Sequence, residues 1–251
     1  MKTTLISVFA LALLLSFSCK TPPPVAPQNV DSAAVLAAVE LRMSILGFET
    51  SRTPDVLYFV ELKRLDGGVP ANFRIPRLTE ANLPTSIIKS TYSTNTGVYW
   101  LNASPGAYAL VGASYSETVS GQQTSTPVGD KGTLTVKVKG GTKVYATFFS
   151  LDFANEHAFV VAPGKLTTLG KFNAKVELSE RSNSDPLQEH LANMMLPGYY
   201  DKSALSNTFG NTVHAYVPVE MNAQTDSTSR ESMQNLAKED FLESPWAGYA
   251  D

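Results

Sequence analysis

Phe172, Ala174, Val176 and Leu178 alternate with Lys171, Asn173, Lys175 and Glu177. An apolar–polar period of two over eight residues marks a strand with one face on a core and the other in water. The same period recurs upstream. Val39, Leu41, Met43 and Ile45 alternate with Glu40, Arg42 and Ser44, and Val56, Tyr58, Val60 and Leu62 share one face of "DVLYFVELK". Leu134, Val136 and Val138 oppose Lys137 and Lys139. "VYWLNAS" and "AYALVGASYS" flank Pro105-Gly106, "TKVYATFFSL" follows Gly140-Gly141, and "AFVVA" and "KLTTLG" flank Pro163-Gly164. The two glycines predict a tight hairpin between the runs they separate. Each Pro-Gly predicts a type II turn with glycine at positive φ. Gly112 and Gly170 each fall seven residues after such a proline, which fits either one turn chemistry used twice or an old duplication. Eight or nine short strands with turn signals between them predict a mainly β fold. We expect an antiparallel β-sandwich, or a partly closed barrel, over residues 39–180.

Elsewhere the pattern is less regular. Ala33 to Val39 fits either more strand or the start of a short helix. Residues 65–97 contain Pro70, Pro76 and Pro84 and read as a long loop, of the kind that is functional or a simple insertion. Residues 181–251 read as a short helical extension. Asp185 is placed to cap a helix that begins at Pro186, with Gln188 completing a capping box. Leu187, His190, Leu191, Met194 and Met195 then share one face, and Pro197-Gly198 stops it. "NTVHAYVPVEM" is compatible with one more strand. "SRESMQNLAKEDFLES" is compatible with a weak helix whose apolar side is Met233, Leu236, Ala237 and Phe241. Trp246 and Tyr249 near the end suggest a tail that docks on the body.

The N-terminus has a different character. Lys2 precedes the apolar run "LISVFALALLL", which ends at Ser16, Phe17 and Ser18, and Cys19 follows as the sole cysteine. Charge, apolar core and small residue are the layout of an export signal over residues 1–18. The run is short of the roughly 20 apolar residues that a membrane-spanning helix needs. Lys20 and Thr21-Pro22-Pro23-Pro24 close off any helix. Residues 19–38 read as a tether. From Lys20 to Ser32 it is proline-rich, and a dozen residues in polyproline II geometry would hold the folded part roughly 30–40 Å from its start.

"L-S-F-S-C", Leu15 to Cys19, resembles the lipobox of bacterial lipoproteins. The family's leucine is expected three residues before the cysteine, where this chain has Ser16 with Leu15 one residue further back, as in the looser lipoboxes of spirochaetes. The resemblance implies a diacylglyceryl group on the Cys19 sulfur, cleavage before Cys19 and acylation of the new amino group. Two or more acyl chains give stable anchoring, so the implied location is the cell envelope, at the outer membrane. "NASPGAYALVGA" resembles the strand–Pro-Gly–Tyr–strand units of carboxypeptidase-regulatory and transthyretin-like sandwiches. That resemblance implies a fold class, and no functional residue comes with it.

Without residues 1–18 the chain loses Lys2 and carries a net charge of about −4. No basic block is present, so nucleic acid is not an expected partner. A lipidated Cys19 would leave no thiol for disulfides or thiol catalysis. His157, His190 and His214 show no HExxH or paired spacing, and neither CxxC, GxSxG, GxGxxG nor a Walker sequence occurs. We therefore expect no metal, no cofactor and no catalytic residue. His190 reads as a packed histidine, and Asp152, Glu156 and His157 in "LDFANEH" as a solvated turn. Asn102-Ala103-Ser104 reads as a chance sequon. Tyr92, Tyr99, Trp100, Tyr108 and Tyr115 fall within twenty-four residues beside a Ser/Thr-rich loop. They serve either as a binding platform for a glycan or protein partner or as ordinary core. The expected function is a lipid-anchored binding or scaffolding module of the envelope. Its alternatives are an envelope hydrolase built on Asp152, Glu156 and His157, and a surface adhesin.

Overall fold

The computed structural model describes residues 23–45, 48–66, 68–127, 133–138, 141–177, 185–195, 213–216 and 218–250. Residues 1–18, expected as an export signal, and Cys19, Gly140, Leu178 and Pro197-Gly198 lie outside them. The fold is mainly β, as the alternation requires, and two sheets face each other. The first runs β14 (Pro218–Gln224), β12 (Leu166–Glu177), β1 (Ala33–Ile45), β6 (Val98–Ala103), β5 (Tyr92–Ser93), with β2 (Phe48–Arg52) also paired to β1. The second runs β13 (Val213–Tyr216), β10 (Gly141–Phe148), β7 (Gly106–Val119), β3 (Val56–Arg64), β4 (Ile88–Lys89), with β11 (Ala158–Val161) also on β7.

Ala33–Val39 is strand, so β1 begins well before the first clear alternation. "NTVHAYVPVEM" supplies two strands, β13 and β14, one for each sheet. Residues 65–97 are mostly irregular, as expected, but contribute β4, β5 and a 3-10 turn at Glu80–Asn82. The sandwich is not wholly antiparallel. β1 pairs with β12, and β10 with β13, in parallel. Parallel neighbours need a long connection, and most of the second sheet lies between β1 and β12 in the chain.

The Gly140-Gly141 hairpin expected from sequence is not formed. β8 (Gln122–Pro127) pairs with β9 (Thr133–Val138), while β10 returns along β7. The two ladders keep one register: Gly112 faces Phe148, Val119 faces Gly141, Gln122 faces Val138 and Pro127 faces Thr133. The two ladders lie on one line, and among the described residues Ser120 and Gly121 separate β7 from β8. Gly141, expected in a turn, is the first residue of β10 and pairs with Val119.

Three side-chain layers hold the sandwich together. The central one takes Val35, Val39 and Leu41 from β1, Leu57 and Phe59 from β3, Trp100 from β6, Tyr108 and Leu110 from β7, and Phe172 and Ala174 from β12. Phe59 stacks on Trp100 at 5.3 Å and meets Phe159 edge-on at 5.9 Å. The outer face of the second sheet, including Tyr58, Val60, Ala109 and Phe148, is covered by α1 (Leu151–Glu156) and α2 (Pro186–Met195). The outer face of the first, including Ala34, Leu36, Tyr99 and Leu101, is covered by α3 (Ser227–Phe241) and the tail behind it. Both sheets are therefore buried on both faces in this region. That explains near-continuous apolar runs such as "VLYFV" and "VYWL".

The helices follow their local signals. At α2 the Asp185 carboxylate accepts from the Leu187 N–H at 2.9 Å, and the Gln188 side chain accepts from the Asp185 N–H at 3.2 Å. That is the predicted capping box. In α3 the buried residues are Met233, Ala237 and Phe241, spaced four apart on one face. The Asp240 carboxylate, on the same helix, accepts hydroxyl bonds from Tyr99 at 2.6 Å, Thr96 at 2.9 Å and Thr94 at 3.0 Å. These bonds latch the helix to β6 and to the turn before it.

Bulges set which side chains face inward. In β12 the register against β1 skips Leu169, because Leu36 faces Thr168 and Ala37 faces Gly170. Leu166 accordingly lies on the outer layer, whereas Leu169, Phe172, Ala174 and Val176 face the centre. In β7 the register against β3 skips Val111, beside Gly112, with the same result: Tyr108 and Leu110 face inward before it, Ala113 and Tyr115 after it. One extra residue reverses the facing of everything that follows. The two glycines spaced alike from the two prolines thus mark equivalent events in the two sheets. The preceding Pro-Gly turns differ, however. Gly164 has φ +66°, but Gly106 has no positive φ. A Cβ at Gly106 would meet the Lys63 carbonyl oxygen at 2.9 Å, so close approach explains that glycine.

Candidate functional site

The seam between the sheets, where β11 comes beside the start of β12, opens as a crevice of about 310 Å³. Its floor includes Phe159, Leu169 and Phe172. Its rim carries Glu156, His157, Thr167, Thr168, Thr225 and Arg230. Four elements build it. Ser150 caps α1 by accepting from the Phe153 N–H at 3.2 Å, and this short helix delivers Glu156 and His157. The stretch expected as a solvated turn is therefore helical. Its buried Phe153 and Ala154 supply the apolar face that a turn would not need. β12 supplies Thr167 and Thr168, the end of β14 leads into Thr225, and α3 supplies Arg230 from its first turns.

His157 is half-buried between two aromatic rings, 4.4 Å from Phe153 and 5.5 Å from Phe172, centroid to centroid. Burial lowers its pKa from 6.5, and the neighbouring Glu156 carboxylate offsets this only in part. The imidazole is thus held toward its neutral form, able to donate at one nitrogen and accept at the other. With the exposed Arg230 guanidinium, the Glu156 carboxylate and three hydroxyls, the crevice offers one cation, one anion and several neutral hydrogen-bonding groups over an aromatic floor. That combination suits a hydroxyl-rich ligand, with Arg230 available to an acidic group on it. Asp152, from the same expected cluster, is exposed on the first turn of α1 and does not line the crevice.

Stability should record the state of His157. Its folded pKa lies below its unfolded value of about 6.5, so the unfolded chain binds more protons as pH falls through that region. Stability should decline from about pH 7 downward and level off below the folded pKa. Urea unfolding between pH 8 and 5 should show this decline, and His157→Asn should show less of it. Identical slopes for the two proteins would refute the assignment.

The other sequence candidates are distributed. His190 does not reach the crevice: its Nε2 contacts the Pro84 carbonyl oxygen at 2.6 Å, tying α2 to the long loop. His214 lies in β13 opposite Tyr145. Among the described residues no group of three or more His, Cys, Asp or Glu side chains converges as a metal site. The five aromatics do not assemble into a platform. Tyr99, Trp100, Tyr108 and Tyr115 are buried and Tyr92 is half-buried. Tyr99 and Trp100 are consecutive in a strand and point to opposite faces. Tyr92 and Tyr99 pack on Phe241 under α3, while Trp100, Tyr108 and Tyr115 lie in the central layer. Burial pushes the phenols of Tyr108 and Tyr115 up to about 12, so both remain neutral. Tyr108 donates to the Ser104 carbonyl at 2.9 Å.

A second concavity, about 550 Å³, lies where the chain enters the sandwich, between residues 28–32 and the loops at Arg64–Gly68 and Asn102–Pro105. Here the tether is fixed. Asn102 has φ +60° at the point where β6 skips a residue against β1, a conformation that asparagine tolerates better than most residues. Its side chain accepts from the Gln28 N–H at 2.8 Å and donates to the Ala26 carbonyl at 3.1 Å. The Trp246 indole donates to the Val25 carbonyl at 2.6 Å. Ser32 Oγ accepts from the Gln28 and Asn29 N–H groups, both at 3.1 Å. The tether expected over residues 19–38 is thus fixed to the sandwich from Val25 to Ser32 and is part of β1 from Ala33 onward, and Asn102, expected as part of a chance sequon, is among the residues that hold it. The available signal was an asparagine just ahead of Pro-Gly, a residue type that readily takes positive φ. Comparison of the chain with protein-family models, with curated proteins and with solved structures gives no match.

Proposed function

We propose that the chain is a lipid-anchored protein of the cell envelope, held at the outer membrane through Cys19. Its sandwich acts as a binding module for an envelope glycan or protein. The observation that carries this is the order of the N-terminal sequence: an export-type apolar run, then the sole cysteine, then prolines leading into a folded domain. No helix among the described residues is long and apolar enough to cross a membrane, and two or more acyl chains are sufficient for stable attachment. The seam crevice supports the binding part of the reading. Arg230, the threonine hydroxyls and neutral His157 above Phe159 and Phe172 suit an acidic, hydroxylated ligand such as a glycan with a carboxylate.

The test is Cys19→Ala followed by cell fractionation with an alkaline wash. The wild-type chain should stay with membranes and the variant should leave them. If both fractionate alike, the anchor is wrong. One observation favours a second reading, an envelope hydrolase: Glu156 and His157 line the same crevice. Purified protein that releases soluble fragments from peptidoglycan, and loses that ability in His157→Ala, would replace binding with hydrolysis.

A further inference from the structure

We infer that the end of the sandwich at which the chain enters is a membrane-contact surface, seated on the headgroup region of the bilayer that carries the Cys19 lipid. This rests on the lipid-anchored reading and adds to it the orientation of the folded body.

The first argument is the length of the leash. Only five residues lie between Cys19 and Val25, whose carbonyl is already held by Trp246, so the two are six residue steps apart. At a maximum of about 3.3–3.6 Å per residue these steps reach about 20–22 Å. The headgroup layer takes up about 5–8 Å of that on one side of the membrane. The sandwich is longer than what remains. The 13 residues of β1 alone extend about 40 Å. A body so large on so short a leash keeps its attachment end toward the bilayer and cannot turn the far ends of its strands to it. The reach of 30–40 Å expected from sequence counted residues 25–32 as free, and Asn102, Ser32 and Trp246 remove that freedom.

The second argument is independent of the first. Among the described residues the exposed large apolar side chains are Val25, Val30, Val69, Val219 and Leu242. Three belong to the attachment end. Val25 and Val30 are in the entering segment itself, and Val30 is 87% exposed. Val69 follows Gly68, which lines the cleft together with Gln28 and Asn29. The other two lie elsewhere. Leu242 follows α3, whose Asp240 is bonded to the turn between β5 and β6. Val219 is on β14 beside the residue paired with Val176, toward the far end of β12. Charges near the cleft are mixed, with Arg64 against Asp31 and Asp66. The contact should therefore be apolar and insensitive to anionic lipid.

Full-length lipidated protein, reconstituted in phosphatidylcholine vesicles, tests this. In that protein an introduced cysteine is the one free thiol, so Val30→Cys, Val69→Cys and Val219→Cys can each carry a single fluorophore at an exposed position. Nitroxide on the lipid headgroups should quench the labels at 30 and 69 several-fold more than the label at 219, at low and at high salt. Mass spectrometry of the same samples reports the Cys19 modification. Acylated protein with equal quenching at all three positions overturns the orientation while the anchor stands. Protein without acyl chains on Cys19 ends the underlying reading, and this orientation with it.

Discussion

Trp246→Ala should destabilise the protein by about 3–5 kcal/mol, the range for deleting a large buried aromatic side chain. The indole is fully buried on the outer face of the first sheet, 6.3 Å from Phe241 and 4.6 Å from Tyr249, centroid to centroid. It joins the layer that contains Ala34, Leu36 and Leu101, so its loss opens a cavity where the tail, α3 and β1 meet. Its N–H bond to the Val25 carbonyl is lost as well, a contribution of about 1 kcal/mol. Folded domains are stable by only about 5–15 kcal/mol, so the variant should unfold at a much lower urea concentration. Trp246→Phe separates the two effects: it keeps most of the packing and should cost far less. Limited proteolysis should then show faster cleavage around Val25 for both variants, because both lose the indole bond, while Asn102 and Ser32 still hold residues 26–32. An alanine variant within about 1 kcal/mol of wild type would mean the tail does not dock as described.

What the sequence revealed followed from short-range physics. The alternation at Phe172, Ala174 and Val176 was readable because one face of β12 meets the central layer and the other is half-exposed there. Asp185, Pro186 and Gln188 announced α2 because a capping box is complete within four residues. The period of two also placed Val56, Tyr58, Val60 and Leu62 together correctly. It did not show that this is the outer face, covered by helices from far along the chain, while Leu57 and Phe59 on the other face fill the central layer. Parallel pairing of β1 with β12 has no local signature for the same reason. The glycine pair predicted a turn from local composition, whereas Gly141 opens β10 against Val119, a pairing set by distant chain. The strand period alone already separates Tyr99 from Trp100 and favours the core reading of the aromatic cluster. The crevice was half visible: Glu156 and His157 stood out, but Arg230 and the threonines join them only through the tertiary fold.

Gly170→Ala should be among the most damaging single-methyl additions in the chain. Gly170 has φ +117°, a region that is essentially closed to other residues and costs them about 1–3 kcal/mol. Added strain comes from crowding. A Cβ there would lie 2.4 Å from the Gln224 carbonyl oxygen and 3.1 Å from the Thr225 Cα, both backbone atoms that cannot rotate away. Overpacking of this kind adds about 1–3 kcal/mol, so a total of about 2–6 kcal/mol is expected. The position also matters for register. Gly170 follows the skipped Leu169, and the bulge turns Phe172, Ala174 and Val176 toward the centre. Relieving the clash by removing the bulge would send those three side chains to the opposite face, so the strain has no inexpensive escape. Gly141→Ala is the matched control: its φ is not positive and a Cβ there meets nothing within 4 Å. It should be neutral, or stabilising by about 0.4–1 kcal/mol through the unfolded chain. Thermal unfolding of the two variants side by side decides the matter. Equal melting temperatures would show that β12 crosses this point without the bulge, and that the inward facing of Phe172 has another origin.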